Sequence, residues 1–159
     1  MSFEDWIFSF HLVFAATLVG GLVLSWIVVV ALRSVDRADE TLGFSRVSSV
    51  GTVCIVLGLL GTIALGLWLA ILRTEFHPWD GWVIGAIVLW AIATGAVLRS
   101  FAEYRKSGAR ARQLVAAHAP GANAELTALN RTATGLLFRG LASAAVVLIV
   151  IDMIYKPGA

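Results

Sequence analysis

Residues 6–32 read WIFSFHLVFAATLVGGLVLSWIVVVAL, 27 positions with no formal charge. A helix rises about 1.5 Å per residue, so about 20 apolar residues cross the ~30 Å hydrocarbon core of a bilayer. This stretch is long enough, and nothing in it would keep it in water. Outward from it the pattern recurs. Val47 to Leu72 is charge-free over 26 residues, and Gly81 to Leu98 over 18. A fourth run, about 133–155, is continuous once Arg139 and Asp152 are admitted near its two ends. A long or interfacial side chain can reach polar surroundings there.

Composition agrees. The chain of 159 residues is 59% hydrophobic and 14% charged, against about 45–50% and about 25% in soluble domains. Unpaired backbone polar groups are too costly in lipid for anything but helices or closed barrels. These runs are too long and too uniformly apolar for barrel strands. The sequence therefore predicts an all-α fold, a four-helix transmembrane bundle in one domain, with spans at about 6–32, 47–72, 81–98 and 133–155. MSFEDWIFSF begins with acids and lacks the basic start of a cleaved signal peptide, so the first span reads as retained.

Orientation follows from the basic residues. Arg33, Arg37 and Arg46 lie after the first span. Arg99, Arg105, Lys106, Arg110, Arg112, Arg131 and Arg139 lie in or beside the third connection. Only Arg73 and Lys156 fall elsewhere. The positive-inside rule then makes the first and third connections cytoplasmic and both chain ends external. A net charge of +2 is thus explained by topology, and no nucleic-acid partner is expected. Trp6, Trp79, Trp82 and Tyr155 would form the outer aromatic belt.

The third connection is rich in helix formers between Ser100 and His118. The third helix is expected to continue past the membrane and stop near Ala119–Gly121. A new helix would be capped by Asn123 and lead into the fourth span. Residues 100–132 would then stand off the membrane as a helical hairpin. Arg105, Lys106, Arg110 and Arg112 on it, with Arg139, are candidate contacts for anionic lipid or a partner protein. Arg139 is expected to snorkel to lipid phosphates or to pair with an acid such as Glu103. Small residues four apart (Ala16/Gly20, Thr17/Gly21, Thr62/Gly66, Gly81/Gly85, Ala91/Gly95) would let helices approach closely. They also suggest a homo-oligomer or a larger membrane complex.

Few residues can carry chemistry. His11 lies about 8 Å inside the first span, measured from Trp6, where an ionisable group needs a polar partner. Asp152 lies at similar depth, four residues before Lys156, which would pair with it. With His77 of the second connection, these form a candidate transition-metal set, since imidazole and carboxylate suit such ions. A haem would need His11 plus a His77 folded back onto it. Cys54 is a lone thiol near mid-span, read as inert. No phosphate loop, HExxH or Ser/His/Asp pattern appears, so the chain reads as non-enzymatic.

Phe10-His11-Leu12 followed by Gly20-Gly21 resembles the first helix of bacterial copper-resistance D-type membrane proteins. Asp152 to Gly158, with Gly66-Leu-Trp-Leu69, is similar to a group of four-helix bacterial integral membrane proteins of unknown function. The resemblance implies a multi-pass protein of the bacterial inner membrane with a histidine near the outer face, which falls on His11. The expected role is a ligand-binding or accessory subunit. Copper handling or haem carriage through His11 is the first alternative, and a small transporter or channel the second.

Overall fold

The structure, a computed structural model, describes residues 2–72, 79–119 and 121–155. It holds five helices among them: α1 (Phe3–Leu32), α2 (Ala38–Leu72), α3 (Gly81–Ala116), α4 (Ala124–Asn130) and α5 (Ala133–Tyr155). Four segments are long and apolar enough to cross a membrane, the fourth being α4 and α5 together. Their outward faces remain apolar: Val13, Val23 and Ile27 on α1 and Leu137 and Val147 on α5 are all exposed. Such a surface matches lipid and not water.

Close approaches fix the arrangement. On α1 and α2, Gly66 meets His11, while Gly21 meets Ile55, so the two helices run antiparallel. On α3 and α5, Gly85 meets Asp152, while the Ser100 hydroxyl donates to the Gly135 carbonyl at 3.1 Å. The two pairs join along α2 and α3, where Trp90 Nε1 donates to the Leu59 carbonyl at 2.9 Å. The helices thus alternate in direction. Residues 2 and 155 share one end of the bundle, here the terminal end. The connection 33–37 and the segments 117–119 and 121–132 share the other, the hairpin end.

Glycine sets the close backbone approach of α1 and α2. A Cβ on Gly58 would lie 2.6 Å from the Leu18 Cα, so the α1 and α2 backbones touch there. Around it Leu18, Leu22, Ile55, Leu59, Ala93, Val97, Ala142 and Val146 form the central core. Lipid tails are as apolar as leucine, so this core is held by close packing and not by exclusion of water. Not every small-residue pair serves this purpose: a Cβ on Gly20 or Gly95 would have nothing within 4 Å.

Both ends of the chain pattern are capped locally. Ser2 accepts from the Asp5 amide at 3.2 Å, and its own amide donates to Asp5 Oδ2 at 2.7 Å, a capping box that starts α1. At the far end of α3, His118 adopts φ 55°, the left-handed region. The His118 amide donates to the Val115 carbonyl and the Ala119 amide to the Leu114 carbonyl, closing the helix as a Schellman turn.

The hairpin end differs from the sequence expectation in two ways. α2 begins at Ala38, nine residues before the apolar run, because charge bars residues 38–46 from lipid but not from a helix. Asp39 and Glu40 even favour its first turn. And the segment after α3 has a packing partner that the sequence does not show. α4 folds down onto the start of α2: Leu126 packs with Ala38, Ala111 and Leu114 in a second small core. Asn130, fully buried, donates to the Val35 carbonyl and to Thr41 Oγ1, each at 3.1 Å. The Asn123 amide donates to the Asp36 carbonyl at 3.0 Å, and its side chain caps α4 through the Leu126 amide. A seven-residue helix cannot stand alone in water; it persists because it has this surface to bury against.

Candidate functional site

Two polar clusters interrupt the apolar bundle, one toward each end. At the terminal end lies a cleft of about 200 Å³ walled by all four spans. Trp82, Trp90 and Phe8 supply its aromatic walls, Ala15 and Ala86 its small ones, Ile149 and Met153 its α5 side. His11 and Thr62 also line it, and both are more than nine-tenths buried. The imidazole engages the Thr62 backbone and rests on Gly66, whose missing Cβ makes room for it. His11 Nδ1 and Thr62 Oγ1 are nevertheless buried without a hydrogen-bond partner. Such groups cost about 1–3 kcal/mol each until something bonds them. The two residues that carry these shielded polar atoms stand in an otherwise apolar wall, the usual composition of a small-molecule pocket.

Asp152 is not part of that wall. Its carboxylate turns to α3, where Oδ1 would lie 3.4 Å from a Cβ on Gly85, and its Oδ2 is buried without a partner. His11 faces Gly66 of α2, and Asp152 faces Gly85 of α3. Among the described residues no group of three or more His, Cys, Asp or Glu side chains is placed to hold a metal ion. His77, the third candidate ligand, and Lys156, the expected partner of Asp152, lie outside the described residues. The lone thiol Cys54 is half-buried on α2.

Toward the hairpin end stands Arg139, and here the expectation needs correction. Its guanidinium does not snorkel; the residue is 4% exposed. Arg139 Nη1 donates to Ser25 Oγ of α1, and Nη2 donates to Ser100 Oγ of α3 at 3.1 Å. The Phe101 and Tyr104 rings lie 6.0 and 5.6 Å from its Cζ, within cation–π range. Nor does it pair with Glu103, which binds Lys106 at 2.7 Å and Arg99 at 3.4 Å. The reason is register: Arg139 lies on the α5 face that meets α1 and α3, so the serines are nearer than the interface. Just beyond, Trp26 Nε1 donates to Ser143 Oγ at 2.9 Å, joining α1 to α5 on this side. An arginine in a membrane helix costs about 2.5–3.5 kcal/mol on insertion scales, and two neutral hydroxyls do not neutralise it.

The remaining basic candidates divide. Arg110 pairs with Glu125 at 2.8 Å and ties α3 to α4. Lys106 is occupied by Glu103. Arg105 and Arg112 are exposed. The polar contacts of Ser25 and Ser100 with Arg139 and the place of Thr62 in the cleft wall are not legible in the sequence, because single small polar residues in an apolar run carry no signal until a partner helix is known.

No family model matches the chain, and neither a curated protein nor a solved structure matches it. The likeness to copper-resistance D-type proteins accordingly rests on its short motifs alone.

Proposed function

We propose that the chain is a non-enzymatic, multi-pass protein of the bacterial inner membrane that binds a small apolar molecule in the terminal-end cleft. The observation that carries this is the pair His11 Nδ1 and Thr62 Oγ1, buried and unpartnered in an otherwise apolar wall. A hydroxyl on a ring or short chain, donating to His11 Nδ1 and accepting from the Thr62 hydroxyl, would bond both atoms, while Trp82 and Trp90 flank its apolar body. A volume of about 200 Å³ lies above the ~150 Å³ that takes a benzene and below the ~300 Å³ at which drug-sized pockets begin. It admits one ring or a short chain segment.

The cleft is assigned to the outer leaflet. Ten basic residues in or beside the connections 33–46 and 99–139 favour the cytoplasm for the hairpin end. The chain would act as a ligand-holding or accessory subunit, its exposed small residues such as Gly20 and Gly95 available to neighbouring helices.

Organic extraction of detergent-purified protein, followed by mass spectrometry, tests the ligand. Wild type should release a stoichiometric apolar compound that Ala15→Trp, which fills the cleft, and His11→Ala both lose. Equal extracts from all three would sink the proposal.

A further inference from the structure

We infer that the hairpin end carries a second site, for the phosphate of an anionic phospholipid headgroup, built from Tyr104, Arg33 and Arg131 with Arg139 behind them. Three observations converge. First, among the described residues no carboxylate lies within 4.0 Å of Arg33, Arg131 or Arg139, although Arg37, Arg99, Lys106 and Arg110 all have acid partners. Second, Arg33 and Arg131 are locked together by their backbones. Arg131 Nε donates to the Arg33 carbonyl at 2.8 Å, and Arg33 Nη1 to the Arg131 carbonyl at 3.4 Å. This clasp holds the end of α1 to the start of α5 and spends only part of each guanidinium's five donors. Third, the Tyr104 hydroxyl is buried with no hydrogen-bond partner, as is Arg139 Nε. Tyr104 spans the two levels: its ring lies 5.6 Å from the Arg139 Cζ, and Arg33 is within its electrostatic reach.

The arrangement grades from solvent inward. Arg131 is exposed, Arg33 half-buried and Arg139 buried, so positive charge rises toward a low-dielectric wall, which focuses its field on an incoming anion. What is missing is an acceptor with several oxygens and negative charge. A phosphodiester supplies both, and guanidinium forks match it in two-point geometry. The Tyr104 hydroxyl, shielded in the free protein, would donate from below once a headgroup displaces the side chains that cover it. Gly135 keeps that ring in place, since a Cβ there would lie 2.9 Å from Tyr104 Cε2. Lipid is favoured over free phosphate by place. Leu137 and Leu141, one and two turns further along α5, are exposed apolar residues on which acyl chains can lie.

The test is native mass spectrometry of the whole protein, titrated with phosphatidylglycerol, phosphatidylcholine or inorganic phosphate. Wild type should hold one phosphatidylglycerol at least tenfold more tightly than phosphatidylcholine. Tyr104→Phe and the double variant Arg33→Gln/Arg131→Gln should each lose most of that preference. Both leave the buried Arg139 bonds to Ser25 and Ser100 untouched, and an unchanged helical circular dichroism spectrum confirms the fold. Equal retention of the two lipids, or a preference that survives both variants, overturns the site. Competition by millimolar inorganic phosphate, with no lipid preference, overturns the lipid assignment in favour of a soluble anion.

Discussion

Gly66 and His11 form a single contact between α2 and α1: a Cβ on Gly66 would lie 3.1 Å from His11 Cε1. The imidazole can face the cleft only because that position lacks a side chain. Gly66→Val should push the ring out of place. Ligand recovered by extraction should fall by about tenfold or more, equivalent to ~1.4 kcal/mol, with thermal stability changed little. Undiminished recovery would separate His11 from ligand binding.

The crossing at Gly58 is tighter and has no flexible neighbour to give way. A Cβ there would meet the Leu18 backbone at 2.6 Å. Gly58→Ala should destabilise the bundle by about 1–3 kcal/mol, the usual penalty of overpacking. Gly95→Ala, with open space around it, should instead stabilise by up to about 1 kcal/mol through helix propensity. Thermal unfolding in detergent reads both, and opposite signs are the expected result.

Ser100 ties α3 to α5 by two hydrogen bonds. Its hydroxyl accepts from Arg139 and donates to the Gly135 carbonyl. Ser100→Ala removes both bonds and should cost about 1–3 kcal/mol. Ser100→Thr, which keeps the hydroxyl, should recover part of the loss. A neutral Ser100→Ala would mean that Arg139 is stabilised chiefly by Ser25 and the two aromatic rings.

The hairpin end should come loose independently of the spans. Asn130→Ala removes two bonds between α4 and the first connection and leaves the Val35 carbonyl buried without its partner. Limited proteolysis within 117–132 should accelerate, while the helical signal of the membrane segments persists. Unaltered cleavage would show that the Leu126 contacts alone hold α4 down.

Orientation is checked by labelling. In a background with Cys54→Ala, a cysteine placed at Glu75 should react with an impermeant thiol reagent applied outside intact cells. One placed at Ala109 should react only after the membrane is opened. The reverse pattern would move the cleft to the cytoplasmic leaflet.

The four spans are legible in the sequence because each is an unbroken or nearly unbroken apolar run, and lipid imposes both its length and its helicity. Asn123 is legible as a cap because the requirement is local. The early start of α2 at Ala38 is not, since charged residues such as Asp39, Glu40 and Arg46 mark the limit of the membrane and say nothing about the limit of a helix. The burial of Arg139 is hidden for a related reason. Its distance from the helix end is in the sequence, but the face it presents is not.

By itself, then, the sequence determined an all-helical chain with four membrane-capable segments, because a bilayer demands about 20 apolar residues per crossing and full internal hydrogen bonding. Only the tertiary structure decided which faces meet. In water an amphipathic helix marks its buried side, but here Val23 faces outward and Leu22 inward, both equally apolar. With no polar face to read, the cleft at His11 and Thr62, the burial of Arg139 between two serines, and the docking of α4 exist only where backbones approach across helices.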